Sequence, residues 1–176
     1  MHPLQSFQYC PVCGSEHFVE NNFKSKKCER CGFIFYFNSS AATAIFITNR
    51  VGELLVVRRA KEPAKGTFDL PGGFVDLFET AEEAIVREVK EETGMQISEP
   101  QYLFSLPNIY RYSGFDVHTV DLFYQYSVDT FSKLQAGDDA ESLYFLKKNE
   151  IQPETFGLNS IRKAVERWLY GFIPKA

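Results

Sequence analysis

From Gly73 to Met95 the chain reads GFVDLFETAEEAIVREVKEETGM. The second half of this stretch carries the marks of one helix. Thr80 is a good N-cap residue, and Glu83 stands three positions on, where its carboxylate closes a capping box. Ala81, Ala84, Ile85, Val86 and Val89 recur at helical spacing and form an apolar stripe. Glu83 and Arg87 make a favourable i,i+4 pair, and Gly94 is a C-terminal stop. The spacing therefore predicts a helix over 80–93. Its polar side carries Glu88, Glu91 and Glu92 at i, i+3 and i+4, so three carboxylates share one face. Like charges at this spacing cost roughly 0.2–0.5 kcal/mol per pair. Glu79, Glu82 and Glu83 deepen the negative field. The plain alternative is a solvated acidic face; a bound cation would relieve the repulsion. All-oxygen ligation on a small patch favours Mg²⁺ or Mn²⁺, with water and a substrate phosphate completing the octahedron.

Around this helix the chain alternates between β-rich runs and breaks. Leu70-Pro71-Gly72-Gly73 is a sharp turn of the backbone just upstream. Before it, Ala41–Asn49 and Glu53–Arg58 read as strands joined in a hairpin around Arg50-Val51-Gly52, followed by a polar loop over Ala60–Thr67. After it, Gln101–Leu106, Val117–Val128 and Ser142–Lys147 read as strands. Within Val117–Val128, Val120, Leu122, Tyr124, Tyr126 and Val128 alternate with Thr119, Asp121, Phe123, Gln125 and Ser127, and Phe123 interrupts an otherwise polar face. Ser160–Tyr170 reads as a closing helix with Ile161, Val165, Trp168 and Leu169 inward. Strands and helices mix without regular β-α alternation. That predicts an α/β sandwich rather than a doubly wound sheet.

The N-terminal part is organised by cysteine. All four cysteines fall in Cys10-Pro11-Val12-Cys13 and Cys28-Glu29-Arg30-Cys31, and Gly14 and Gly32 each follow a pair. Two CxxC pairs separated by a short loop suit tetrahedral Zn²⁺ in a structural site. Disulfides are the alternative, but no export signal precedes them. The segment has too few apolar residues for a core of its own, so metal binding must drive its folding. His17–Glu20 and Phe33–Phe37 read as short strands, and the aromatic run Phe33–Phe37 is expected to pack on the larger unit. A zinc ribbon is thus read over residues 1–37 and a larger domain over 38–176.

With 176 residues and 44% hydrophobic composition, the chain fits one medium domain and a small module. A net charge of −4 argues against a bulk nucleic-acid binder, which usually presents a basic face. No apolar run reaches the ~20 residues needed to cross a bilayer. A cytoplasmic protein is expected.

The stretch quoted at the outset resembles the Nudix box at every constrained position: Gly73, Glu79, Arg87, Glu88, Val89, Glu91, Glu92, Gly94 and Met95, with Leu70-Pro71-Gly72 also fitting. The resemblance covers residues 41–176. It implies an α/β/α sandwich with a mixed sheet and a metal-dependent hydrolase cleaving a phosphoanhydride in a nucleoside diphosphate linked to another moiety. It implies that Glu88, Glu91 and Glu92, with the Gly72 carbonyl, hold Mg²⁺ or Mn²⁺. Arg87 would hold the box together through Glu79, while Glu91 and Glu92 would orient or deprotonate the attacking water. Glu141, before the late strand, resembles a place where relatives supply a further carboxylate; a solvated loop residue is the alternative. Arg58, Arg59 and Lys65 flank the site and are candidates to hold the other phosphate. Tyr110, Tyr112 and Phe115 are candidates to stack on a base, against the alternative of ordinary packing.

A zinc ribbon directly before a Nudix domain resembles the NADH pyrophosphatases, which act on NADH or NAD and in some cases on NAD-capped RNA. Two departures separate this chain from them. It is read without their further N-terminal domain. Where they carry Ser-Gln-Pro-Trp-Pro-Phe-Pro, it has Ser105-Leu106-Pro107-Asn108-Ile109-Tyr110, keeping only the serine and the first proline. ADP-ribose or another nucleotide sugar therefore competes as substrate, with AMP as a product. The alternatives are a nucleoside triphosphate pyrophosphohydrolase and a nucleotide-sensing regulator. The intact box argues against the regulator, and the ribbon's Lys24, Lys26, Lys27 and Arg30 form only a small basic cluster. Many enzymes of this family are similar in being dimeric, so a homodimer is expected.

Overall fold

A computed structural model describes residues 3–112, 114–131, 134 and 140–171 of the chain. Three short strands come first: β1 (Phe18–Asn22), β2 (Ser25–Cys28) and β3 (Ile34–Tyr36). They form an antiparallel sheet in the order β1-β2-β3. The larger unit follows as β4 (Ser40–Asn49), β5 (Glu53–Arg59), β6 (Phe68–Asp69), α1 (Ala81–Thr93), β7 (Gln101–Tyr112), β8 (Phe115–Val128), β9 (Ala140–Lys147) and α2 (Asn159–Tyr170). Its mixed sheet runs β6-β5-β4-β8-β7, with β9 along the other edge of β5. β4 and β8 are parallel over ten residue pairs, from Ser40↔Thr119 to Asn49↔Val128. The remaining pairings are antiparallel.

Period-two alternation sorts the core into two layers. On β4, Ala44 and Phe46 face one side with Leu54, Val56, Phe123, Ile161, Ala164 and Val165. Ile45 and Ile47 face the other with Leu55, Ile85, Val89 and Tyr124. One helix covers each face, α2 the first and α1 the second, so the arrangement is a sandwich with a mixed sheet. Phe123 breaks the polar pattern of its face because β8 is central and covered on both sides. Each fully buried Ile85 or Val89 contributes about 1.5–3 kcal/mol to holding α1 down.

The helix termini follow the sequence. The Thr80 hydroxyl accepts from the Glu83 N–H at 3.1 Å, and the Glu83 carboxylate accepts from the Thr80 N–H at 2.8 Å. Gly94 closes α1 in the left-handed region at φ 70°. The 49–52 turn joins β4 to β5 as expected, with the Gly52 N–H donating to the Asn49 carbonyl.

Two elements depart from the sequence reading. β2 is polar and has no apolar alternation, yet it pairs with both neighbours. β7 runs on past Leu106 through Pro107 to Tyr112. It pairs with β8 alone, so Pro107 sits on an edge strand, where a missing N–H is tolerated. The aromatic run meets the larger unit through Phe37, which lies edge-on to Phe115 at 6.0 Å and to His118 at 6.2 Å. Phe7 bridges Phe35 and Phe115. Ile34 and Tyr36 remain exposed. No helix among the described residues is long and apolar enough to cross a membrane.

Candidate functional site

The segment between β6 and α1 is laid against the free edge of β4. The Ile45 N–H donates to the Pro71 carbonyl at 3.0 Å, and the Thr43 N–H donates to the Gly73 carbonyl at 2.7 Å. Gly72 lies between them at φ 149°, and its N–H donates to Glu92 at 3.0 Å. A Cβ at Gly72 would lie 2.1 Å from the Thr43 carbonyl oxygen and 2.8 Å from Ala44 Cα. One on Gly73 would meet the Glu88 carboxylate at 2.4 Å. Both glycines are therefore spaces: the first lets the segment touch β4, the second lets Glu88 lie over the backbone.

Arg87 ties the acidic residues together. Its Nε and Nη2 donate to the two oxygens of Glu79, each at 2.9 Å. Nη1 donates to Glu88 at 2.7 Å and to Glu91 at 3.2 Å, and Nη2 also reaches the Phe74 carbonyl at 3.1 Å. Glu79 further accepts from the Asp76 N–H. The Arg87 hydrogen bonds, helped by that N–H, hold the Glu79 carboxyl at about 2. The same carboxylates push the Arg87 guanidinium above its ordinary value, Glu79 first. Glu79 and Glu88 are mostly covered, whereas the Glu91 side chain is 58% exposed. Glu88 and Glu91 thus share one guanidinium nitrogen, while Glu92 is held by the loop backbone. Their oxygens suit a hard cation, with Glu91 the most accessible from solvent.

A cavity of about 500 Å³ opens beside this constellation. Glu88, Glu92, Gly72 and Asp76 line it together with Phe74, Tyr110 and Tyr112. Asp69, Asn108, Thr119 and Asp121 contribute buried polar groups to the lining. Phe74 and Tyr110 meet edge-on at 5.7 Å, and Tyr110 and Tyr112 stack at 6.4 Å. Arg59 binds Asp69 at 2.6 Å, donates to the Tyr110 hydroxyl at 3.1 Å, and lies over that ring. Burial raises the Asp69 carboxyl while the Arg59 charge opposes the rise. Asp121 accepts from the Thr119 and Ser160 hydroxyls, pinning α2 to β8. A second depression, of about 800 Å³, lies on the outer side of α1. It meets Arg87 and Glu91 but neither Glu88 nor Glu92, and it has no aromatic wall, so the first cavity is the better candidate.

Of the sequence candidates, Gly72, Glu88, Glu92, Arg59, Tyr110 and Tyr112 come together at the first cavity, and Arg87 and Glu91 stand beside it. Arg58 does not line it. β5 alternation turns Arg58 to the opposite side from Arg59, where it lies between the Phe68 and Tyr144 rings at 5.3 and 5.1 Å. Lys65 is exposed and also outside the lining, and Phe115 packs against Phe7 and Phe37 instead. Glu141 falls at the start of β9, and its side chain lies outside the described residues. Sequence reasoning passed over Asp69, Asn108, Thr119 and Asp121. Only their common parity on paired strands could have singled them out.

The four cysteine sulfurs lie within 4.8 Å of one another, the one such cluster of potential ligand atoms among the described residues. Cys10 and Cys31 sulfurs are 3.7 Å apart, and those of Cys13 and Cys28 are 3.6 Å apart. These distances are too long for disulfides and match the edge of a tetrahedron with metal–sulfur bonds of ~2.3 Å. The Gly14 N–H donates to the Cys10 carbonyl and the Gly32 N–H to the Cys28 carbonyl, both at 2.9 Å, giving two matching knuckles.

A family model described as the NUDIX domain matches residues 38–169. An ADP-ribose pyrophosphatase from Methanocaldococcus jannaschii is 37% identical over 127 residues, which cover 71% of this chain and 72% of that one. An NAD-capped RNA hydrolase NudC from Vibrio vulnificus is 28% identical over 106 residues; this match spans 60% of the present chain but only 40% of the relative. The crystal structure of a NUDIX hydrolase from Nitrosomonas europaea superposes with a TM-score of 0.70 at 19% identity, over 92% of this chain and 90% of that one. With the box running from the segment against β4 through α1 and a family match across nearly all of the larger unit, the chain belongs to the NUDIX family.

Proposed function

We propose that this chain hydrolyses the phosphoanhydride of a nucleoside diphosphate linked to a second moiety, an ADP-ribose-like or NADH/NAD-like compound, with AMP as one product. The observation that carries the reading is that one cavity is lined both by the carboxylates Glu88 and Glu92 and by the aromatic rings of Phe74, Tyr110 and Tyr112. A diphosphate-linked nucleoside has both matching parts, a charged bridge and a flat ring. The names of the relatives, an ADP-ribose pyrophosphatase and an NAD-capped RNA hydrolase, point to this substrate class.

Glu88, Glu91 and Glu92, with the Gly72 carbonyl, would hold Mg²⁺ or Mn²⁺, since hard oxygen donors suit those ions. When bound, such an ion neutralises phosphate oxygens and lowers the pKa of a coordinated water. Around it, Arg87 keeps Glu79 and Glu88 in place, and the Gly72 N–H orients Glu92. Glu91 is the best placed to take a proton from the attacking water, being half-exposed and tied by one long hydrogen bond. Glu141 is a further carboxylate for that role, carried over from the family pattern. Arg59 acts through Tyr110, because Asp69 already neutralises its charge. The water oxygen bonds to one phosphorus as the bond to the bridging oxygen breaks, leaving two monophosphates.

The four cysteines would hold one structural Zn²⁺, with the ribbon ending near residue 37 and the catalytic unit beginning at 38. A homodimer is the proposed assembly, resting on the exposed Ile34 and Tyr36 of β3. The test is a substrate panel with Mg²⁺: ADP-ribose, NADH, NAD and nucleoside triphosphates. Release of AMP from a diphosphate compound supports the reading. Preferential release of pyrophosphate from triphosphates overturns it in favour of a triphosphate pyrophosphohydrolase, and no turnover of any of them favours a nucleotide sensor.

A further inference from the structure

The cavity contains a group that the proposed chemistry does not use. Asn108, on β7, is 9% exposed and lines the cavity. The other buried polar side chains there are already engaged. Asp69 bonds Arg59 and the Leu70 N–H, and Asp121 accepts from Thr119 and Ser160. Thr43 donates to the Gly73 carbonyl. Among the described residues, none makes a hydrogen bond to the Asn108 carboxamide. A buried amide is ordinarily hydrogen-bonded, so its place beside an open cavity marks a position for a ligand.

We propose that Asn108 reads the base of the substrate by pairing its carboxamide with the edge of an adenine. A carboxamide presents a donor and an acceptor side by side in one plane. The matching partner is a flat ring with an amino group next to a ring nitrogen, the pattern that lets asparagine bind adenine in bidentate fashion. The surroundings fit a flat ring: Tyr110 follows two residues along the same face of β7, with Phe74 5.7 Å from it. This inference rests on the nucleoside diphosphate reading above and deepens it, making the base end of the cavity selective for adenine. Sequence position alone gave no hint of it, since Asn108 sits in a run read only as a departure from a related motif.

The test separates base recognition from hydrolysis. Calorimetry compares binding of AMP with binding of the analogue whose purine lacks the 6-amino group, to wild type, Asn108→Leu and the smaller Asn108→Ser. Turnover of ADP-ribose with Mg²⁺ is measured in parallel. Wild type is expected to bind AMP about 10-fold more tightly, the scale of one lost hydrogen bond in a buried site. Both variants should bind the two ligands equally, while KM for ADP-ribose rises and kcat changes little. A melting curve for each variant confirms that it is folded. Retention of the preference in a folded variant overturns the proposal, as does its absence in wild type. Dependence of nicotinamide mononucleotide binding, rather than AMP binding, on Asn108 also overturns the adenine assignment. Selective AMP binding without ADP-ribose turnover upholds the proposal and removes the hydrolysis reading instead.

Discussion

Replacing Gly72 by alanine should separate two functions that adjacent glycines perform. The added Cβ falls 2.1 Å from the Thr43 carbonyl oxygen, where an ordinary contact needs ~3.5 Å. β4 cannot retreat, because its other edge is bonded to β8 over ten pairs. The 70–74 segment must therefore lift by more than about 1 Å. That strains or breaks the bonds from Ile45 to Pro71 and from Thr43 to Gly73, each contributing about 0.5–1.5 kcal/mol. An L-residue held at positive φ adds about 1–2 kcal/mol. The sum is about 2–5 kcal/mol, and urea unfolding should show a midpoint lower by about 1–2 M at an unchanged m value. Gly73→Ala behaves differently. Its Cβ meets only the end of the Glu88 side chain, which can swing aside. Stability should fall by less than ~1 kcal/mol, while activity falls with the displaced carboxylate. If Gly72→Ala unfolds within ~0.5 kcal/mol of wild type, the segment is not clamped to β4 as described. Full activity in Gly73→Ala would remove Glu88 from the site.

Glu91→Gln and Glu92→Gln should each lower turnover at least ~100-fold at saturating Mg²⁺ while leaving the fold intact, since like-charge repulsion is relieved; near-normal kcat in both would refute the metal site. Glu79 titrates near 2 in the folded chain, below its ordinary 4.5, because Arg87 hydrogen-bonds it. A depressed carboxylate contributes stability above its unfolded pKa and loses it as pH falls through the folded value. Glu79→Gln should therefore flatten the acid limb of the stability curve between about pH 4.5 and 2, and identical limbs for both proteins would contradict that. Metal analysis of protein purified without chelator should find about one zinc per chain, and a disulfide linking any of Cys10, Cys13, Cys28 and Cys31 would falsify the ribbon assignment. Light scattering at micromolar concentration should report a dimer; a monomer there would remove the assembly proposal without touching the chemistry.

Legibility differed between local and long-range features. α1 could be read in full because its cap, its stripe and its stop are all encoded within 80–94. The cysteine cluster was equally plain, since spacing fixes both knuckles. β2 was missed because Ser25, Lys26 and Lys27 carry no apolar alternation; the Cys28 anchor and the pairing with β1 and β3 hold it as a strand. β7 was cut short at Pro107, because a proline breaks a strand only where its N–H is needed. Arg58 and Arg59 were treated alike, yet one residue of strand parity sends them to opposite sides. The buried polar lining of the cavity is assembled from β6, β7 and β8 through pairings such as Asn108↔Thr119, which no local pattern announces.

The proposed hydrolysis breaks the anhydride between two phosphates beside Glu88, Glu91 and Glu92. Incubation of the enzyme with ADP-ribose, NADH or NAD and Mg²⁺ in H₂¹⁸O, followed by mass spectrometry, tests it most directly. AMP and a second monophosphate are expected in equal amounts, one of them carrying a single ¹⁸O, with both products lost in Glu92→Gln. Unchanged diphosphates under these conditions, or equal turnover by Glu92→Gln, would contradict it.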